Sequence, residues 1–374
     1  MDAAPENEYV WLETGERAIQ EMLTAIAAAR DSICLETYTF ALGPTGQRFR
    51  QALTEACRRG LQVKVMLDAL GSVYLLESSW KTFQLHGGQF RWFNPISLSH
   101  MAIRDHRKLL VCDQSVAFLG GFNIAKEYWG DGVKAGWRDL GMRIRGPMAK
   151  ELARAFEEMF AHADFKHKPF ARLRSSSRQK TVASSRAQLL LGGPSRNNPI
   201  KRALRADLKS ARHVAIVSAY FLPPWRIRRD LMRLAHTGAR VQLILPGKSD
   251  VILSRLAGQS FYRRLLKAGL EIYEYQPQIL HAKLFIIDDV VYAGSANLDR
   301  RSLSFNYEVM LRLADRSIAC QARAIFSDML GNCRRIEAGQ WRRNRTFLER
   351  LAARVAYLIL ARLDPLLARR HLRD

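Results

Sequence analysis

The feature that most constrains this chain is a histidine followed by a lysine two residues later and an aspartate seven residues later. The pattern occurs twice, and every residue of the second copy carries a number 175 higher than its counterpart: His106, Lys108, Asp113 and His281, Lys283, Asp288. A repeat this long indicates duplication of a whole domain rather than a solenoid of short units. We therefore expect two similar halves.

Each copy predicts the same local structure. An apolar run between its lysine and its aspartate favours a strand buried on both faces. The histidine and the lysine then point to the same face, because side chains two residues apart on a strand share a side. A turn of small residues follows, GGFN ending at Asn123 and GSAN ending at Asn297, and such turns let backbone amides approach an anion. Together these features predict one phosphate-binding site at the junction of the halves.

The two motifs, HRKLLVCD with GGFN and HAKLFIID with GSAN, resemble the paired signatures of the phospholipase D superfamily. Within that superfamily the chain is most similar to the bacterial cardiolipin synthases, particularly those of the shorter, soluble type. The likeness covers most of the chain, because it also includes the segments LETYTF, WRDL, AYFLP and LPGKSD.

Strands alternate with helices in both halves, which predicts right-handed crossovers and mostly parallel sheets. The resemblance implies an α/β fold of two similar α-β-α halves, with the active site at their interface. We expect an N-terminal domain over residues 1–165, a basic linker over 166–190, a C-terminal domain over 191–340 and a basic amphipathic tail over 341–374.

The charge of the chain is unusual. It contains 59 Lys and Arg residues against 35 Asp and Glu residues, for a formal net charge of +24. Such an excess favours a polyanionic partner, either nucleic acid or an anionic membrane surface, although a basic solvated surface is also compatible with it. No apolar run approaches the roughly 18–20 residues of a membrane span, and no signal peptide is visible. We expect a soluble or peripheral protein with five unpaired cysteines.

The tail has an apolar stripe at helical spacing. Leu348, Leu351 and Val355 alternate with Arg350 and Arg354. A basic amphipathic helix of this kind fits an anionic membrane interface. Packing of the same helix on the protein core is an equally good interpretation.

Phosphodiester exchange without a metal requires a nucleophile, an acid for the leaving group and fixed positive charge. Imidazole suits the first two roles because its pKa lies near about 6.5, so one ring can be neutral while another is protonated. The resemblance implies that His106 attacks phosphorus to form a phosphohistidine and that His281 acts as acid and base. Lys108 and Lys283 would supply the fixed charge.

Five further residues of the motifs receive supporting roles. Asn123 and Asn297 can donate amide hydrogens to phosphoryl oxygens, and Ser295 can contribute a hydroxyl. Asp113 and Asp288 end their strands, so we assign them to orienting the backbone or a lysine rather than to acid–base chemistry.

Each imidazole also needs an acceptor for its far nitrogen. The resemblance places that acceptor on a carboxylate roughly thirty residues after each histidine. Asp139 follows His106 by 33 residues, and Glu308 follows His281 by 27. No further His or Cys has ligand spacing beside either signature, so we expect neither a metal nor another cofactor.

The resemblance implies transfer of a phosphatidyl group from phosphatidylglycerol to the hydroxyl of a second phospholipid, with phosphatidylethanolamine as another candidate lipid. It also implies a peripheral location on the cytoplasmic face of the bacterial cell membrane. A phospholipid hydrolase and a nuclease of the same superfamily are the alternative enzymes. Nucleic acid is the less favoured partner because the sequence has no evident row of exposed aromatic residues for stacking bases. A non-catalytic lipid-binding protein would not require both complete His/Lys/Asp sets.

Overall fold

The computed structural model describes residues 6–95, 103–163, 179–181, 186–195, 197–343 and 345–360. The first half contains seven strands: β1 (Glu8–Leu12), β2 (Ser32–Thr37), β3 (Gln62–Asp68), β4 (Gln89–Phe93), β5 (Leu109–Cys112), β6 (Val116–Gly120) and β7 (Gly141–Arg145). Its helices are α1 (Gly15–Ala28), α2 (Pro44–Arg58), α3 (Lys81–Leu85) and α4 (Pro147–Ala161), with short 3₁₀ segments at Glu77–Trp80 and Lys126–Tyr128.

The second half repeats this alternation. Its strands are β8 (Gln179–Thr181), β9 (Ala187–Gly192), β10 (His213–Ser218), β11 (Phe221–Leu222), β12 (Arg240–Pro246), β13 (Glu271–Tyr275), β14 (Lys283–Ile287), β15 (Val290–Gly294), β16 (Leu298–Asp299), β17 (Glu308–Ala314) and β18 (Cys333–Arg335). Its helices are α5 (Pro199–Asp207), α6 (Trp225–His236), α7 (Ile252–Gln259), α8 (Tyr262–Lys267), α9 (Arg316–Gly331), α10 (Ala338–Arg343) and α11 (Phe347–Leu358).

The two large sheets show the duplication directly. The first has the order β1-β7-β6-β5-β2-β3-β4, and the second has the order β18-β13-β12-β10-β14-β15-β17-β9-β8. The run β7-β6-β5-β2-β3-β4 therefore recurs as β17-β15-β14-β10-β12-β13. This confirms the predicted α/β class with two similar halves.

Each sheet is mixed, whereas the sequence predicted mostly parallel sheets. Among the described strands of the two large sheets, only β2-β3-β4 and β10-β12-β13 are parallel runs, and the other neighbours are antiparallel. The reason lies in the signature strands, because each turns straight back into the next strand. Asp113 (φ 51°) and Asp288 (φ 49°) adopt the left-handed conformation at these tight reversals.

A shared core lies between the two sheets. It contains α4 residues such as Phe156, α9 residues such as Phe326, and the inner faces of both sheets. Two further cores lie on the outer faces, one beneath α1 and α2 and the other beneath α5, α6 and α8. The predicted linker falls mostly outside the described residues, and its last residues form part of β9, which pairs with β17. All five cysteines are free, as predicted.

The tail helix α11 combines features of both interpretations made from the sequence. Its alanine face packs on α7, with Ala353 and Ala356 buried. The predicted apolar stripe, from Leu348 to Leu358, is exposed. Thr346 and Glu349 form a capping box at its start, so the helix has a defined beginning. In the described part of the chain, no helix has both the length and the apolar character of a membrane span. Residues 361–374 of the tail lie outside the described residues.

Candidate active site

Backbone hydrogen bonds between the halves bring the two signature histidines to one place. The His106 amide donates to the Tyr307 carbonyl at 2.9 Å, and the His281 amide donates to the Arg138 carbonyl at 2.7 Å. Tyr307 immediately precedes Glu308, and Arg138 immediately precedes Asp139. Each histidine is therefore held beside the carboxylate of the other half.

The side chains pair in the same crossed manner. His106 Nδ1 lies 3.0 Å from Glu308 Oε1, and His281 Nδ1 lies 2.7 Å from Asp139 Oδ2. All four side chains are buried. The expectation that each carboxylate serves the histidine before it in the sequence is wrong. The physical reason is the pair of backbone bridges, Asp105 to Tyr307 and Arg138 to Leu280, which carry each carboxylate across the interface.

The crossed pairs determine which nitrogen can react. A neutral imidazole that donates its Nδ1 hydrogen to a carboxylate presents a lone pair at Nε2. Burial lowers the pKa of His106 well below its usual value, and the charges of Lys108 and Lys283 lower it further. Burial and Lys283 also lower the pKa of His281, while Asp139 opposes the change. In the free site both shifts favour the neutral form of the ring.

The two lysines lie directly against the histidine segments. Lys108 Nζ donates to the His106 carbonyl at 2.7 Å. Lys283 Nζ lies 2.8 Å from His281 Nδ1 and also contacts the His281 carbonyl. Burial, followed by the charge of Lys283, lowers the pKa of Lys108 to about 7. Burial lowers the pKa of Lys283 as well, and an anion bound beside the two amines would favour their charged forms.

Glu308 is also tuned by its surroundings. Burial raises the pKa of Glu308 to about 7, against the opposing effect of Lys108. Ser295 donates its hydroxyl hydrogen to this carboxylate and accepts a hydrogen bond from the Val309 amide at 3.0 Å. Direct contact of the Ser295 hydroxyl with phosphate stays a prediction. Because the hydroxyl is committed to Glu308, Ser295 positions the partner of His106.

The asparagines take different places. Asn123 accepts from the Thr39 amide at 3.1 Å and donates to the Tyr128 hydroxyl at 2.7 Å. Tyr128 in turn lies 3.4 Å from His281 Nε2, so Asn123 reaches that histidine through a tyrosine. Asn297 is buried. Its backbone amide donates to the Ser302 hydroxyl at 3.2 Å, and its side-chain oxygen has no hydrogen-bond partner within the described ranges.

The small-residue turn of the first half makes room for a carboxylate. A Cβ atom at Gly121 would lie 2.0 Å from Asp139 Oδ1. Any larger residue there would displace Asp139 from His281. The turn of the first half thus admits a protein side chain, and close approach of its backbone amides to an anion stays a prediction.

The signature aspartates lie at the far ends of their strands from the lysines. Asp113 accepts hydrogen bonds from the backbone amides of Arg30, Asp31 and Ser32. Asp288 accepts hydrogen bonds at 2.9–3.3 Å from the backbone amides of Arg212, which precedes β10, and His213, which begins it. These contacts agree with the predicted backbone-orienting role. They place neither carboxylate in acid–base chemistry.

Aromatic side chains that the motif reasoning did not assign to the site surround both imidazoles. The Tyr38 ring centroid lies 5.2 Å from that of His106, and Lys108 Nζ lies 5.3 Å from the Tyr38 ring. Around His281 the centroid distances are 5.3 Å for Tyr128, 5.6 Å for Trp137 and 6.3 Å for Tyr220. Trp137 belongs to the WRDL segment, so its position two residues before Asp139 was the available signal.

A buried cluster of charges beneath the first signature was also missed. Arg107 forms an ion pair with Glu36 at 3.1 Å, and Arg104 forms one with Asp68 at 3.3 Å. The Asp105 amide donates to Asp68 at 2.9 Å, and the Arg107 amide donates to Asp105 at 3.1 Å. Burial raises the pKa of Glu36 and that of Asp105, with Arg107 opposing both shifts. The alternation of charges in RDHRK was the signal in the sequence.

Comparison with known proteins identifies a family that matches most of the chain. A family model described as "Cardiolipin synthase, PLD-like domain" matches residues 22–162 and 204–330, so it covers both signature strands. Cardiolipin synthase 1 of Bacillus anthracis is 31% identical over 85% of this chain, which spans 65% of that protein's length. Cardiolipin synthase B of Escherichia coli strain K12 is 29% identical over 83% of this chain and 77% of its own length.

A solved structure shows the same fold. The phosphatidylserine synthase of Haemophilus influenzae superposes with a TM-score of 0.77 at 14% identity, covering 96% of this chain and 94% of that chain. With the family model matched over both halves, the chain belongs to the cardiolipin synthase family of phospholipase D-like proteins.

Proposed function

We propose that this protein transfers a phosphatidyl group from phosphatidylglycerol to the hydroxyl of a second phospholipid through a phosphohistidine. The observation that carries the proposal is the crossed pair of imidazoles. Two buried rings, one from each half, each have Nδ1 on a carboxylate and a buried lysine beside them. The names of the bacterial relatives support the same reaction.

In the first step, His106 Nε2 attacks phosphorus. The new P–N bond forms while the bond from phosphorus to the departing glycerol oxygen breaks. His281, which takes up a proton from solvent when the anionic phosphodiester binds beside it, gives that proton to the departing oxygen. Asp139 stabilises the His281 imidazolium, because an opposite charge 2.7 Å away favours the protonated ring.

In the second step, neutral His281 removes the proton from the hydroxyl of the acceptor lipid. The acceptor oxygen attacks phosphorus, the P–N bond breaks and His106 returns to its starting form. Lys108 and Lys283 supply positive charge to the phosphoryl oxygens in both steps. One phosphodiester is exchanged for another, so the reaction consumes no nucleotide.

The aromatic wall around His281 favours transfer over hydrolysis. Tyr128, Trp137 and Tyr220 surround the ring at which the departing and accepting groups exchange. Aromatic rings this close to the imidazole would limit the access of water to this position. They support an alcohol rather than water as the group that resolves the intermediate.

Both proposed lipids are anchored in a bilayer, so the protein must work at a membrane surface. The net charge of +24 favours an anionic surface. We place the protein peripherally on the cytoplasmic face of a bacterial cell membrane, with the exposed basic and apolar side of α11 as a contact.

Lipid mass spectrometry tests the proposal. Purified protein is mixed with phosphatidylglycerol vesicles, alone and with phosphatidylethanolamine, beside the His106→Ala and His281→Ala variants. Cardiolipin from the wild type and from neither variant is the expected result. Phosphatidic acid alone would identify a hydrolase. No lipid product, together with cleavage of DNA or RNA, would overturn the proposal in favour of a nuclease.

The phosphohistidine needs its own test. Rapid quenching with labelled phosphatidylglycerol, followed by peptide mapping under alkaline conditions, should locate label on His106. Label on His281 would reverse the order of the two histidines, and absence of a covalent adduct from both would contradict the two-step mechanism.

A further inference from the structure

Two loops at equivalent places in the two halves expose large apolar side chains. One follows β3 and the other follows β12, which is the counterpart of β3 in the second sheet. Tyr74 is 97% exposed on the first loop, and Ile252 is 64% exposed on the second. We call the exposed apolar residues of the two loops the apolar rim: Val73, Tyr74, Leu76, Val251, Ile252 and Leu253.

The first loop is fixed to the wall of the candidate site. Ser72 Oγ donates to the Tyr38 carbonyl at 3.1 Å and accepts from the Phe40 amide at 2.9 Å. A Cβ atom at Gly71 would lie 2.2 Å from the Tyr38 carbonyl oxygen, so the loop lies directly against that residue. Because the Tyr38 ring faces His106, this side of the rim borders the first histidine.

The second loop is fixed in an equivalent way. Tyr220 donates its hydroxyl hydrogen to Asp250 at 2.6 Å, and Asp250 immediately precedes Val251. Because the Tyr220 ring faces His281, this side of the rim borders the second histidine. The apolar rim therefore has one part on each side of the place where the two histidines meet.

The surroundings of the second loop are both apolar and basic. Trp225, which is more than half exposed at the start of α6, follows Tyr220 by five residues and lies beside the guanidinium groups of Arg226 and Arg229. Tryptophan with neighbouring arginine is typical of the interface between water and lipid. The helix α7 begins at Ile252, and α11 packs its alanine face on α7. The exposed stripe of α11 thus adjoins a helix that begins in the rim.

We propose that the apolar rim inserts into the surface of an anionic phospholipid bilayer. The opening of the active site, which lies between the two parts of the rim and is called its mouth below, is then held against the lipid headgroups. The inference rests on the proposed function, because it concerns how a lipid-anchored phosphodiester reaches the two histidines. Transfer of aliphatic and aromatic side chains from water into the headgroup boundary lowers the free energy of the system. The excess of basic residues in this protein is complementary to an anionic surface. Placing an anchor on both sides of the mouth would let a headgroup enter the site while its acyl chains stay in the bilayer.

The test measures binding separately from chemistry. In the full chain with His106→Ala, sedimentation with vesicles of phosphatidylglycerol and phosphatidylcholine reports the partition coefficient. The combined variant Tyr74→Ser/Ile252→Ser should bind at least about tenfold more weakly, since burial of one large apolar side chain corresponds to a tenfold effect or more. Tyr74→Trp, which keeps the apolar surface, should bind at least as tightly as the parent.

Leu85→Ser is the matched control. Leu85 is 84% exposed at the end of α3. The rim lies at the carboxyl end of β3. Because β4 runs parallel to β3, the chain must return to the amino ends of these strands before Gln89, so Leu85 lies near the end of the sheet away from the rim. Its variant should bind within twofold of the parent.

Parent-like vesicle binding by the combined variant would overturn the inference, as would an equal loss in Leu85→Ser. A changed oligomeric state with unchanged vesicle binding would instead identify the rim as a contact between copies of the chain. Cardiolipin formation is measured separately in the chain that retains His106. Rim-dependent binding without cardiolipin formation by that chain would reject the proposed function alone. Cardiolipin formation with rim-independent binding would reject the rim alone.

Discussion

The surroundings of the two signature histidines differ although their hydrogen bonds match. The flanking residues are charged in the first half and apolar in the second: Asp105 and Arg107 around His106, and Leu280 and Ala282 around His281. The neighbouring strand shows the same contrast between a charged and an apolar residue. Glu36 on β2 pairs with Leu109 on β5, and Val217 on β10 pairs with Leu284 on β14. The crossed histidine–carboxylate geometry therefore does not depend on a charged support. What the charged cluster adds is specific to the first half, where Asp105 helps to hold charge on Lys108.

The two turns differ in a complementary way. Gly121 leaves the space that Asp139 fills, whereas Ser295, at the equivalent place, donates its hydroxyl hydrogen to Glu308. One carboxylate is positioned by an open space and the other by a hydrogen bond. Similar geometry is thus reached through different sequences, and each solution can be broken separately.

The largest expected effect follows from removal of either carboxylate charge. Asp139→Asn and Glu308→Gln should each lower kcat by about 10²–10⁴-fold, because each imidazole loses the group that orients it and stabilises its cation. Steady-state cardiolipin synthesis measures the effect. Glu157→Gln, which removes a carboxylate paired with Lys64 outside the site, is the control. Full activity in either site variant would contradict the crossed pairs.

One substitution removes the cation of the buried charge cluster beneath the first signature, and three substitutions together replace the cluster with apolar residues. Arg107→Ala should lower the free energy of unfolding by about 3–5 kcal/mol, because Glu36 and Asp105 then remain buried without their cation. The triple variant Glu36→Val/Asp105→Leu/Arg107→Ala copies the second half and should recover most of that loss. Denaturant unfolding compares the two, and a triple variant as unstable as the single one would show that the cluster is not self-contained.

Lys108 should be a destabilising residue at neutral pH. Burial lowers its pKa to about 7 in the folded chain, against about 10.4 when unfolded. The free-energy cost of burying the charged Lys108 side chain is fully present below pH 7. It disappears as pH rises from 7 toward about 10.4, because only the unfolded chain binds the proton in that window. Lys108→Met should therefore raise the free energy of unfolding by about 2–4 kcal/mol at pH 7 and by much less at pH 10. A stabilisation that grows with pH would contradict this sign.

The smallest expected effect concerns Ser295. Its hydrogen bond lowers the pKa of Glu308, which burial raises to about 7. Ser295→Ala should raise that pKa further and protonate Glu308 at pH 7, with a loss of about tenfold in kcat. Because the carboxylate is recovered at higher pH, the defect should shrink above pH 7. A pH profile of kcat checks this, and a loss that is constant with pH would assign Ser295 another role.

The duplication made much of the fold and site predictable. The repeated His/Lys/Asp spacing indicated two equivalent halves, and the structure brings His106, Lys108, His281 and Lys283 together as expected. The partner of each histidine was not predictable in the same way. Distance along the chain does not show which strands cross an interface, so Asp139 and Glu308 were each assigned to the wrong ring.

Other features depended on contacts between distant segments. Tyr128 reaches His281 across 153 positions of sequence, and no local pattern marks it. The exposed rim was also hidden, because Val251, Ile252 and Leu253 form a short apolar run of the kind that is usually buried. Periodicity predicts that a face is apolar, but only the packed structure shows whether another element covers it.

The crossed pairing is tested most directly by the downfield proton NMR spectrum, in which each Nδ1–H bonded to a carboxylate gives its own signal. His106→Ala and His281→Ala assign the two signals. Asp139→Asn should remove or shift the His281 signal and leave that of His106, and Glu308→Gln should do the reverse. Loss of the His106 signal in Asp139→Asn would show instead that each histidine uses the carboxylate of its own half.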